Sequence, residues 1–208
     1  MGNYTTGDYL GEDSSEYLIY KMLQEIQDTE LNREVVFDTF PPALGNSLAL
    51  QTASGSNWVA EGTLLNIKES INLSSSTLLK MLITELPEQP SQDGTIIPAV
   101  YQYIENAYYI IAYGESRLIN EIGWVSLALD ANADIRLHSR GIYYGVLIHN
   151  MPACSVLGYE GAPIDVNPFI SWSADLGDVY TQGVPNSITN VTRSTSRLYS
   201  QLIANTID

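Results

Sequence analysis

Leu18, Met22 and Ile26 recur at four-residue intervals with Ile19 and Leu23 beside them, and Asp13-Ser-Ser-Glu16 stands in front with the spacing of an N-cap and its returning acid. The spacing predicts a helix over 14–28 with one apolar face. Glu34-Val-Val-Phe-Asp-Thr-Phe40 reads as a strand stopped by Pro41-Pro42, and strands are also expected over Ser47 to Thr52 and Trp58 to Ile67, with Gly62 a point of interruption. The serine cluster Ser74-Ser75-Ser76 followed by Leu78, Leu79, Met81, Leu82 and Leu86, with Pro87 closing the run, predicts a second helix. Glu88 to Gly94 is a polar loop.

From Ile96 to Tyr113 two patterns compete. Strands Val100 to Ile104 and Ala107 to Tyr113 meet at Glu105-Asn106, whereas Val100, Ile104, Ala107 and Ile111 align as a helix after Pro98; tyrosine and isoleucine enrichment favours the strands. Ile122 to Leu129, Asp134 to His138 and Ile142 to His149 read as an antiparallel meander. In the last of these Ile142, Tyr144, Val146 and Ile148 face one way and Tyr143, Gly145, Leu147 and His149 the other, so both faces are covered. Ser155 to Tyr159 and Phe169 to Trp172 are short strands in a stretch rich in Gly and Pro. Ile188, Val191, Thr195, Leu198 and Leu202 have helical spacing and predict a C-terminal helix. The expected fold is therefore α+β, mainly antiparallel sheet or sandwich, with residues 1–13 a polar arm and 14–208 a single domain.

Composition agrees with a folded chain. Of its 208 residues 45% are hydrophobic, and fourteen tyrosines supply aromatic surface that disordered chains lack. Charge narrows the partners. Twenty-four acids oppose nine Lys and Arg for a net charge of −15, and nine of those acids lie between Asp8 and Asp38 against Lys21 and Arg33 alone. Such a field repels phosphate backbones and anionic lipid, so neither tight nucleic-acid binding nor a membrane partner is expected. The start has no basic n-region and no apolar h-region, which predicts a soluble protein. Met1-Gly2 with Thr6 matches the myristoylation pattern, but acids follow where a second, polybasic signal would be needed. Asn3, Asn72 and Asn190 begin glycosylation triplets that have no meaning without secretion.

No catalytic, cofactor-binding or metal-ligating set emerges. The histidines are His138 and His149; a hairpin turning at Ser139-Arg140 would hold them roughly 26 Å apart at about 3.3 Å per residue, so both read as sheet or surface histidines. Cys154, the single cysteine, sits in the apolar run Met151-Pro-Ala-Cys-Ser-Val-Leu157 and reads as a buried structural thiol. Nucleophile-elbow, phosphate-loop, dinucleotide and His-Glu-x-x-His patterns are missing. Asp130-Ala-Asn132-Ala-Asp134 begins like a calcium loop, yet Ile135 and Gly141 stand where the turn glycine and bidentate glutamate belong, which makes it an Asx-rich turn.

Two segments resemble known families locally. Ser173-Ala-Asp175-Leu-Gly177-Asp-Val-Tyr180 partly resembles the aspartate box of sialidase-type propellers, a structural turn there and read as a turn here. Ile67 to Leu86, with Leu73 and Ser76-Thr77 in place, resembles the helix-turn-helix of IclR-type regulators, which implies that Ser75, Ser76, Thr77 and Lys80 would face a major groove. Lys68 departs from that pattern where a small residue packs, and the acidic surface favours one amphipathic helix after a turn.

The leading expectation is a non-enzymatic structural assembly protein, most plausibly a bacteriophage virion component (capsid, neck or tail), assembled in the host cytoplasm as a homo-oligomer beside neighbouring structural proteins. Tyrosine-rich, lysine-poor composition suits interface cores, and the polar arm suits contact with a partner. Alternatives are a carbohydrate-binding module stacking sugars on Trp58, Trp124 and Trp172, a helix-turn-helix regulator, and a hydrolase using a carboxylate pair.

Overall fold

The computed structural model describes residues 34–39, 45–53, 57–86, 94–131, 135–151, 154–163 and 165–205. The expected arm 1–13, helix 14–28 and most of the loop from Glu88 to Gly94 lie outside them. In chain order the strands are β1 Glu34–Asp38, β2 Asn46–Ala49, β3 Trp58–Leu65, β4 Ile71–Asn72, β5 Leu78–Glu85, β6 Thr95–Ile104, β7 Ala107–Tyr113, β8 Arg117–Leu118 and β9 Gly123–Ala128. They continue with β10 Arg136–Leu137, β11 Tyr143–His149, β12 Ser155–Glu160 and β13 Ser171–Gly177. After the short helix α1, Val179–Gln182, come β14 Ser187–Ile188, β15 Thr192–Arg193, β16 Ser196–Leu198 and β17 Ser200–Asn205. All pairings are antiparallel.

A seven-stranded sheet runs β1-β17-β5-β12-β16, with β2 on β12 and β9 on β5; an eight-stranded sheet runs β14-β7-β6-β11-β3-β13-β15, with β8 on β6. The result is a β-sandwich, not the α+β fold expected. Leu79, Met81 and Ile83 of β5 and Leu147 of β11 share one core cluster, while Phe37, Leu65, Tyr143 and Leu202 share a second. A third core, on the other side of the eight-stranded sheet, gathers Trp58, Tyr101, Tyr108, Tyr144 and Trp172 under Val179 and Ile188. Strand β11 thus feeds cores on both its faces, in the alternation read from sequence.

The mid-chain helix is strand β5. Its odd positions Leu79, Met81 and Ile83 are fully buried while Leu78, Lys80, Leu82 and Thr84 are half-buried on the opposite face. Leu78 and Leu82 on the half-buried face fill in positions that strict alternation would leave polar, so the apolar run also satisfies a helical template. The serines expected to cap a helix instead close a turn: Thr77 N–H donates to the Ser74 carbonyl at 3.0 Å, and Ser74 N–H to Thr77 Oγ1 at 2.9 Å. This removes the helix-turn-helix reading, because Ser75, Ser76, Thr77 and Lys80 lie on a turn and a strand.

The C-terminal helix is likewise absent. Ile188, Val191, Thr195, Leu198 and Leu202 lie on or between β14, β15, β16 and β17, where β-branched side chains fit the pleat. Between Ile96 and Tyr113 the hairpin is present, turning at Glu105 and Asn106 with φ of 49° and 69°. Gly62 does not interrupt β3. The meander is not formed, since β9 pairs with β5, β10 with β4, and β11 with β3 and β6. Polar connections between apolar runs mark where strands end but not which strands pair.

Candidate functional site

His149 is fully buried at the end of β11 and faces Glu61, itself nine-tenths buried on β3, with Nε2 3.2 Å from Oε1. The other ring nitrogen, Nδ1, accepts the Met151 N–H at 3.3 Å, so the proton sits on Nε2 and is donated to Glu61. Glu61 Oε1 also accepts the Gln51 N–H at 2.6 Å. Both ring nitrogens of His149 and Oε1 of Glu61 are occupied by protein, so the pair ties β3 to β11 and to the chain at Gln51 and Met151. His138 is exposed, on the far side of the turn closed by Gly141 N–H and the His138 carbonyl. The structure does not bring the two histidines together.

Trp58 and Trp172 are fully buried with the phenols of the third core, and Trp172 contacts Tyr108 at a ring separation of 4.6 Å. Neither can stack on a sugar. Trp124 is half exposed. Cys154 is buried, and loss of solvent pushes its thiol up to about 11. Among the described residues no group of three His, Cys, Asp or Glu side chains is placed to hold a metal ion, and no helix is long and apolar enough to cross a membrane. Glu115 and Asp130 share a surface groove beside β9, and both are exposed.

Two surface features remain. The first is the outer edge of β9, which pairs on one side with β5; on the other side Tyr113 bridges Asp130 just past its end, and among the described residues no strand pairs with its start at Gly123 and Trp124. Arg117 Nη1 donates to the Ser126 carbonyl at 2.8 Å, so Ser126, and by alternation Trp124, turns its main-chain groups toward that edge. Beside it Leu118, Ile122 and Trp124 are 46%, 65% and 50% exposed.

The second is a groove of about 460 Å³ where the β6–β7 hairpin meets segments 165–169 and 189–193. Tyr103, Tyr108 and Phe169 supply aromatic wall; Asn106, Asn167 and Thr189 supply neutral polar groups; Asp165 and Arg193 supply one charge of each sign. The Arg193 guanidinium lies 4.7 Å from the Phe169 ring centre. The Tyr103 hydroxyl is 2.9 Å from both Asn106 Oδ1 and Asn167 Oδ1. Beneath the groove the Tyr144 hydroxyl donates to the Phe169 carbonyl, anchoring the 165–169 segment to the sheet. Sequence reading passed over these residues, since three segments far apart in the chain build the groove; the tyrosine-rich hairpin was the sole local signal. Compared with known proteins, the chain matches no family model and no curated protein is similar to it.

Proposed function

We propose that this chain is a non-enzymatic structural protein of a bacteriophage virion, in the capsid, neck or tail, assembled in the host cytoplasm by packing against copies of itself and neighbouring structural proteins. The observation that carries the reading is the strip Leu118, Ile122 and Trp124, exposed beside the unpaired start of β9. Exposed strand edges template pairing with other chains unless charge, proline or a bulge blunts them, and adjoining large apolar side chains mark association surfaces. The charges at hand are Arg117 and Glu121, paired to each other at 3.5 Å, with Glu115 and Asp130 in the groove at the other end of the strand. The net charge of −15 supports protein partners over nucleic acid.

Light scattering coupled to size exclusion tests it on the full chain. A closed homo-oligomer at micromolar concentration is expected, dissociated by Ile122→Glu with Trp124→Glu while the far-ultraviolet spectrum is kept. A wild-type monomer at every concentration would overturn the reading.

A further inference from the structure

We infer that the groove between the β6–β7 hairpin and segments 165–169 and 189–193 is a binding site for a neutral saccharide. Its volume, about 460 Å³, falls within the range of about 300–1,000 Å³ that small-molecule sites occupy. Its chemistry selects among ligands. Two carboxamides converge on one phenol at 2.9 Å each, and a phenol carries one proton. The hydroxyl donates to one amide oxygen, and the other faces solvent; if that amide is turned the other way, its nitrogen donates to the phenol and its oxygen points elsewhere. In either arrangement an exposed amide oxygen can exchange water for a ligand hydroxyl beside the aromatic wall of Tyr103 and Phe169.

Vicinal hydroxyls suit that exchange, since each donates and accepts, and the C–H face of a sugar ring covers an aromatic edge without demanding a hydrogen bond. Thr189 adds a further hydroxyl. An anionic ligand fits poorly: Asp165 stands in the lining and offsets the charge of Arg193, and the whole molecule carries −15. A purely apolar ligand would strand the amides. The tyrosine hydroxyl held between two asparagines keeps the rim in one geometry, so little ordering is spent on binding. Nothing in this inference depends on self-association, and the site is on the other sheet from β9.

Saturation-transfer NMR on the full chain with maltose, cellobiose, lactose and N,N′-diacetylchitobiose tests it, with glucose 6-phosphate as the anionic comparison. At least one neutral disaccharide should bind with a Kd on the order of 1 mM, a value ordinary for a small, half-open site. Asn167→Ala and Tyr103→Phe should each weaken that binding at least fivefold. Asn167 is exposed, so its replacement leaves the core intact, and an unchanged thermal transition checks this. No binding of any of the four disaccharides, tighter binding of the phosphate sugar, or full affinity in both variants would each overturn the inference.

Discussion

At the scale of single residues, backbone proximity and buried polarity decide most. Gly62 on β3 is paired with Trp172 on β13, and a Cβ there would stand 2.3 Å from indole Cε2. The indole is fully buried and has no room to retreat, so Gly62→Ala should destabilise by about 3 kcal/mol, read from urea unfolding. Gly114 is tighter still, 1.9 Å from the Ala128 carbonyl oxygen, where backbone rather than side chain would have to yield. Glu61→Leu leaves the buried His149 donor and the part-buried Gln51 N–H without their acceptor and should cost about 2 kcal/mol, whereas Glu61→Gln, which keeps an oxygen, should cost less than half of that in the same assay. The alternation of its strand put His149 on one face with Tyr143 and Leu147 but left it a sheet or surface histidine; the structure buries it. Its partner was not legible, because Glu61 lies 88 positions earlier and reaches it through strand pairing.

At the scale of elements, β5 shows how a strand hides. Leu78 to Ile83 is built from good helix formers, and intrinsic preference there is worth tenths of a kcal/mol per residue. Burial of Leu79, Met81 and Ile83 between two sheets is worth more, so packing overrides preference. Met81→Ala should therefore lose about 3 kcal/mol while Lys80→Ala, on the half-buried face, loses less than 1 kcal/mol; equal losses would contradict the alternation. The 105–106 turn is a separate case. Glu105 adopts φ of 49°, a left-handed conformation that asparagine tolerates better, so Glu105→Asn should raise stability by about 0.5 kcal/mol in thermal melts. This hairpin was readable because its turn and its flanking strands are contiguous.

At the scale of the whole molecule, a core rich in phenols makes stability depend on alkaline pH. Burial raises Cys154 to about 11 and Tyr108 to about 12; Tyr199 rises to about 12 through burial and its bond to Asp38, and burial also raises Tyr101 and Tyr144. The unfolded chain releases these protons first, so it binds fewer protons than the native state and stability falls as pH rises. The contribution is complete below about pH 9 and is lost through about pH 11–12. Urea midpoints should fall steadily across that window, and Cys154 should resist thiol reagents at pH 8 until the protein is denatured.

From sequence it was legible that the chain folds, where many of its strands lie and that β11 is covered on both faces. These follow from composition and period, which are properties of neighbouring residues or of their sum. Tertiary structure alone decided that β5 and the C-terminal segment are strands, that three apparently consecutive strands belong to three different sheets, and which side chains line the groove beside Tyr103. Sheet pairing joins residues far apart in the chain, and its hydrogen bonds and shared burial outweigh the local preferences from which a sequence is read.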